Sequence, residues 1–158
     1  MSRIAERVVF DCNVFFQAVI NANGPAGLCV AAAFERRVLL FCSSYIIEEL
    51  RLVSARPHLR QKFSSLTDAR VAALIENIEK VAIFVANVPE VFTFARDPDD
   101  AHYINLAIVT GSRYVVSRDK DLTDLRRGDT PEGRDFRSRF PTIEIVEPPE
   151  LLRRLAEA

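Results

Sequence analysis

The acidic residues of this chain are crowded in a way that stability alone does not favour. The stretch RDPDDAHY, Arg96 to Tyr103, carries Asp97, Asp99 and Asp100, three carboxylates in four residues of a chain that is 49% hydrophobic. Asp11 closes the run RVVFD and is followed by Asn13, and Asp119 and Asp121 follow YVVS, which ends in Ser117. Glu48 and Glu49 stand side by side in YIIEEL. Carboxylate oxygens are hard donors, and a set of them with no Cys or His pair nearby suits Mg2+ or Mn2+ rather than zinc. A site of that kind supports phosphodiester hydrolysis by an Mg- or Mn-activated water.

Each acidic group also has a local explanation. In DPDD, Asp97 suits an N-cap and Pro98 the first helical position, with Asp99 and Asp100 in the first turn against the positive end of the helix dipole. Asp11 suits the cap of a helix after a strand, and DKD suits a turn. What the local explanations leave out is convergence. Four acidic groups gathered at one edge of a fold repel by roughly 1 kcal/mol or more per close pair, and a bound divalent cation removes that cost.

The elements needed to gather them are legible. RVVFD is a β-branched and aromatic run, and NVFFQAVINA has the apolar spacing of a helix. GPAGLCVAAAFERR begins with Gly24 and Pro25 and predicts a second helix leading to the strand VLLFCS. Ser43 or Ser44 caps the next helix, YIIEELRLVSAR. Two helical pieces, HLRQKF and TDARVAALIENIEK, precede a strand VAIFV. A helix through AHYINLAIVTG ends at Gly111, YVVS is a strand, TIEIVE is another, and PPELLRRLAEA is a helix opened by proline. Strands separated by helices predict a three-layer α/β/α sandwich with a central parallel sheet of four to five strands. Ligands of open α/β sheets bind at the carboxyl ends of the strands. Asp11, Asp119, Asp121 and the Asp97–Asp100 group all fall at that end.

Helical geometry separates the paired glutamates. At about 100° per residue Ile46, Leu50 and Val53 form one stripe; Glu49 lies about 60° from it and Glu48 points away to water. A carboxylate beside a buried stripe requires a partner. Of the two histidines, His58 and His102, the second lies just after DPDD and is expected to be a surface residue.

The 158 residues suit one domain spanning 1–158. No apolar stretch spans a bilayer, and MSRIAERVVF lacks the apolar run of a signal peptide, so a cytoplasmic protein with no membrane association is expected. Cys12, Cys29 and Cys42 are odd in number and lack CxxC spacing, which predicts buried reduced thiols. With 21 basic and 22 acidic side chains the formal charge is -1, so a nucleic-acid partner must be held by local patches. No GxGxxG or GxxxxGK[ST] occurs, and Ser117 has no histidine partner, which removes the dinucleotide, P-loop and Ser-His-Asp readings.

These segments resemble the PIN domain family, and within it the toxin components of bacterial toxin–antitoxin pairs. VVFDCNVFFQA is similar to that family's opening strand with D-x-N-V, and SSYIIEEL to its S-x-x-x-x-x-E-L helix. RDPDDAHYINLA is similar to its D-P-D-D helix entry, and YVVSRDKDL to its V-T-x-D-x-D-L turn, with Ser117 where Thr is usual. The resemblance covers nearly the whole chain. It implies Asp11, Glu49, Asp100 and Asp119 as the acidic quartet around Mg2+ or Mn2+, joined by Asp121 as a ligand and supported by Asn13, Asp97 and Ser117. It also implies a metal-dependent ribonuclease with RNA as substrate, commonly a homodimer, and blocked by a cognate antitoxin.

RRGDTPEGRDFRSRFP is longer than the tight turn that family suggests. A loop is expected over 126–140, either an RNA-gripping segment through Arg126, Arg127, Arg134, Arg137 and Arg139 beside Phe136 and Phe140, or simply a solvated one. Other readings are a catalytically silent module binding RNA or protein, a housekeeping RNA-processing nuclease, and a phosphatase with Asp11 as nucleophile. The last would want an acid two residues on, where Asn13 stands.

Overall fold

The computed structural model describes residues 3–157. In chain order the elements are β1 (Glu6–Phe10), α1 (Cys12–Ile20), α2 (Pro25–Phe34), β2 (Val38–Cys42), α3 (Ser44–Ser54), α4 (Pro57–Lys62), α5 (Asp68–Val81) and β3 (Ile83–Phe84). They continue with α6 (Ala101–Thr110), β4 (Tyr114–Val116), α7 (Lys120–Thr123), a 3-10 turn (Asp124–Arg126), α8 (Pro131–Arg139), β5 (Glu144–Val146) and α9 (Pro148–Ala156). The five strands form one parallel sheet in the order β3-β2-β1-β4-β5.

Both faces of that sheet are covered. Val8, Val9 and Phe10 are consecutive and all buried, as are Tyr114, Val115 and Val116. Since neighbouring strand residues point to opposite faces, such runs arise only where helices pack on each side. The α6 helix packs on β1, β2 and β4, while α1 and α2 pack on one another, α1 on α3, and α2 on α9. Gly27 allows the α1–α2 approach: a Cβ there would run into the backbone of Ala22. No single helix among the described residues is long and apolar enough to cross a membrane. Most apolar side chains of α1 and α2 lie in the core, with Leu28 an exposed exception.

Three expectations change. The strand expected over VAIFV is only Ile83–Phe84, an edge strand with both side chains substantially exposed, because only one neighbour pairs with it. The segment expected as a loop over 126–140 contains helix α8. Thr130 caps it by accepting a hydrogen bond from the Gly133 N–H (3.0 Å), Pro131 occupies the first turn, and Phe136 is buried against Phe92 and Phe140. Phe136 is therefore a core residue and not a base platform. His102, expected at the surface, is half-buried, stacked on Tyr45 with ring centroids 4.3 Å apart and hydrogen-bonded through Nε2 to Ser43 Oγ at 2.6 Å.

The stretch between β3 and α6 is irregular but anchored. Phe92 and Phe94 are buried, and the buried Asn105 of α6 accepts from the N–H groups of Val91 (2.9 Å) and Phe92 (2.7 Å) and donates to the Phe92 carbonyl (2.9 Å). This clamp ties the approach to DPDD onto α6. Asn105→Ala leaves those backbone groups without a partner, a loss of about 1–3 kcal/mol. Urea unfolding measures it; a change within about 0.5 kcal/mol contradicts the clamp.

Candidate metal centre

The strand order places a topological switch between β1 and β4: from β1 the chain winds outward through β2 and β3, then returns to β4 and leaves through β5. The crevice at the carboxyl ends of two such strands is where open α/β sheets bind ligands. Asp11 follows β1 directly and its N–H donates to the Val116 carbonyl (3.1 Å), so the ends of β1 and β4 are tied at this point. Ser117 and Asp119 follow β4, and Asp97–Asp100 leads into α6, which crosses both strands.

Four carboxylates meet there. Asp97, Asp100, Asp119 and Asp121 each offer an oxygen, and these atoms lie within 4.8 Å of one another. Asp100 is 8% exposed, and its Oδ2 is buried with no hydrogen-bond partner. A buried carboxylate oxygen without a donor is costly unless a proton or a cation satisfies it. Burial first, then Asp119 through its charge and a hydrogen bond that the protonated Asp100 makes to it, then the charges of Asp97 and Asp11, push the Asp100 carboxyl up to about 9.

Asp97 does not cap the helix. Helix α6 starts at Ala101 with Asp100 in the cap position and no side-chain cap bond. Residues 97–103 are instead held by backbone bonds, Asp100 N–H to the Asp97 carbonyl (3.1 Å) and Tyr103 N–H to the Asp100 carbonyl (3.2 Å). These tight turns turn the Asp97 carboxylate away from capping and into the cluster.

Asp11 lies close enough to act on Asp100, and Glu49 is joined to the residue after Asp11 through Cys12 and Tyr103. Asp11 is buried; its Oδ1 accepts from the Val14 N–H (3.1 Å) and its Oδ2 from the Ser117 hydroxyl. Burial raises its carboxyl to about 6, against the pull of those two donors. With both oxygens engaged, Asp11 is poorly set as a phosphatase nucleophile. The Ser117 hydroxyl also accepts from the Asp119 N–H (2.9 Å), and Asp119 Oδ1 accepts from the Asp121 N–H (2.9 Å). One serine thus links Asp11 to the loop that carries Asp119. Glu49 Oε2 accepts from the Tyr103 hydroxyl (3.0 Å) and the Cys12 thiol (3.6 Å), while Tyr103 accepts from the Cys12 N–H (3.2 Å). That is the partner a carboxylate beside the core required, whereas Glu48 is exposed and faces Arg51 at 4.0 Å. Asn13 is exposed at the start of α1.

Sequence reasoning passed over Arg96. Its Nε lies 2.6 Å from Asp121 and its Nη1 3.1 Å from Asp124, so one guanidinium bridges two carboxylates at the margin of the cluster. Its position immediately before DPDD was the available signal. A cavity of about 390 Å3 between α8, β5 and α9 shares no residue with the acidic cluster.

The PIN domain family model matches residues 7–121, which include all of these acids except Asp124. An uncharacterized protein of Methanocaldococcus jannaschii is 31% identical over 126 residues, 80% of this chain and 79% of that one.

The raised carboxyls set the sign of a pH effect. Asp100 and Asp11 titrate in the folded chain near 9 and 6, above the ordinary 3.8, so between about pH 4 and 9 the folded state binds more protons than the unfolded state. Stability without metal therefore falls as pH rises through that interval. Urea unfolding in EDTA from pH 5 to 9 reads the decline, and Asp100→Asn flattens most of it. A metal-free stability that rises over this range contradicts the assignment.

Proposed function

The chain belongs to the PIN domain family, and from that premise we propose that it is a divalent-metal-dependent endoribonuclease acting in the cytoplasm as the toxin of a type II toxin–antitoxin pair. The observation that carries the nuclease reading is the buried, unpartnered Oδ2 of Asp100 within a four-carboxylate cluster at the β1/β4 switch. The donor set fits the group the family implies: oxygen donors with no thiol or imidazole among the four, as Mg2+ or Mn2+ prefers.

Asp100, Asp119, Asp97 and Asp121 would hold the ion, with Asp11 and Glu49 flanking it. When bound, the cation would acidify a coordinated water and neutralise charge on the phosphate and leaving oxygen. The chain's own residues prepare that site. Ser117 fixes Asp11 and the Asp119 backbone together, which limits the motion of two strand ends relative to each other. Tyr103 and Cys12 fix one oxygen of Glu49 outside the group of four. Burial pushes the Tyr103 hydroxyl far up, so it stays a donor to Glu49 throughout the working range. Arg96 draws Asp121 toward Asp124 and moderates the repulsion in the metal-free state.

The toxin assignment, the cognate antitoxin and a homodimer are supported by the similarity of the four motifs to the toxin branch of the family. Co-expression tests them: the product of a small adjacent open reading frame should relieve the growth arrest caused by this chain. Arrest that no neighbouring product relieves, or no arrest at all, turns the reading to housekeeping RNA processing.

The nuclease is tested by incubating the purified chain with single-stranded RNA and Mg2+ or Mn2+, with EDTA as control; cleavage indifferent to EDTA sinks the mechanism. Asp100→Asn should abolish metal-dependent cleavage while the metal-free protein melts at the same or a slightly higher temperature. Asp97→Ala separates ligand from cap. It should change metal-free stability by less than about 0.5 kcal/mol, since no cap bond is lost, yet reduce the rise in melting temperature that Mg2+ produces. A loss of about 1 kcal/mol without metal and an undiminished Mg2+ effect would restore Asp97 to capping.

A further inference from the structure

A cleft of about 340 Å3 opens beside the acidic cluster and shares Asp119 with it. One side is helix α1, which presents the amides of Asn13 and Gln17, and the other is formed by Arg56 at the start of α4 and by Arg118. Its floor is apolar, with the buried Phe16 and Pro148. Arg56 and Arg118 are exposed, and among the described residues neither guanidinium makes a hydrogen bond or an ion pair, nor do the side-chain amides of Asn13 and Gln17. Arg60, Arg96, Arg113 and Arg154 are paired with carboxylates, while among the described residues Arg36, Arg37, Arg70, Arg127 and Arg137 have no such pair; what distinguishes Arg56 and Arg118 is that both line one cleft bordering the acidic cluster.

We infer that this cleft is the subsite for one nucleotide of single-stranded RNA next to the phosphate that is cut, with Arg56 and Arg118 holding backbone phosphates and Asn13 and Gln17 reading the base. The inference rests on the ribonuclease reading and extends it to a position in the substrate. The volume is at the small end of ligand sites and suits a single nucleotide. Two free guanidinium forks are matched to phosphate oxygens. Asn13 and Gln17, one helical turn apart, project from the same face of α1, and side-chain amides carry both donor and acceptor for the edge of a splayed base. The apolar floor gives the ring a dry surface. Arg118 is the residue before Asp119, so a phosphate held there places the next phosphodiester at the carboxylates.

The test is fluorescence polarisation of end-labelled RNA oligonucleotides with the full chain in EDTA, over a series of salt concentrations. For single strands the slope of log affinity against log salt is about 0.7 per phosphate neutralised, so Arg56→Ala with Arg118→Ala should reduce it by about 1.4. The paired lysine replacements should restore it. Asn13→Ala and Gln17→Ala should leave the slope alone and change the ranking of oligo(A), oligo(C) and oligo(U). With Mg2+ present, the arginine changes should raise KM far more than they lower kcat. Arginine variants with the parent's affinity and slope, or a parent that binds no RNA in EDTA, overturn the subsite. Equal competition by an acidic peptide also overturns it, giving the cleft to a protein partner. RNA bound as described but not cut leaves the subsite standing and removes the nuclease reading; EDTA-sensitive cleavage with unchanged binding by the arginine variants does the reverse.

Discussion

Repulsion among carboxylates is the constraint around which this end of the molecule is organised. Unit charges 4 Å apart interact by about 4 kcal/mol near a protein surface, and Asp97, Asp100, Asp119 and Asp121 have oxygens within 4.8 Å of one another. A chain that is stable by only about 5–15 kcal/mol cannot hold all four ionised without compensation. The compensation visible in the fold is partial. Arg96 balances Asp121, Ser117 donates to Asp11, and Asp100 meets the remaining demand by holding its proton well above the usual carboxylate range. Once ionised, Asp100 would leave its buried Oδ2 with no donor, so the compensation holds only while the proton stays.

The scaffold explains why the cluster is not simply relaxed by movement. Asp11 and Asp119 are fixed to neighbouring strands whose last rung is the bond from the Asp11 N–H to Val116, and Ser117 ties one to the other. The DPDD segment has no regular structure before α6, so its rigidity comes from elsewhere. Asn105 pins residues 91–92, and Phe92 is enclosed by Phe136 and Phe140 from α8. The helix that replaced the expected loop is thus a distant support for the acids, acting through packing and through one arginine. Arg139 donates to the Val91 carbonyl (3.3 Å), pairs with Asp135 (3.4 Å) and lies over the Phe140 ring (5.0 Å).

The order of strands and helices was readable because each carries its own period, and the strand-end position of Asp11 and Asp119 followed from it. Glu49 was separable from Glu48 because helical angle alone distinguishes a residue bordering the core from one facing water. Long-range pairing was harder to read. Nothing in the spacing tells that Tyr103, in another helix, supplies the partner of Glu49, or that His102 meets Ser43. Asn105 did leave a signal, a lone amide within the apolar run AHYINLAIVT. The reading of Asp97 as a cap failed for a local reason: Pro98, three places before Ala101, is compatible with helix entry and with the tight turns that the chain adopts. The helix at 131–139 was signalled by Thr130 and Pro131, a cap followed by a first-turn proline, but the likeness to a family with a tight turn there led to a loop.

A chain with a formal charge of -1 has no overall field to draw a polyanion to a cluster of acids. Any attraction has to be made within a few ångströms of the repulsion, and the backbone after β4 provides the means. Asp119, at the N-cap of α7, has an extended backbone and lines the cleft beside Arg118. Ser117 donates to Asp11, Asp119 belongs to the cluster and also borders the cleft, and Arg118 between them is exposed and lines the cleft. The same three residues therefore deliver a carboxylate to the site and a guanidinium beside it. Arg56 reaches the cleft from α4, whose start is held by an ordinary proline entry and makes no demand on that side chain. Adjacent residues of opposite charge thus set a guanidinium beside a cluster of carboxylates at one crevice of a nearly neutral protein.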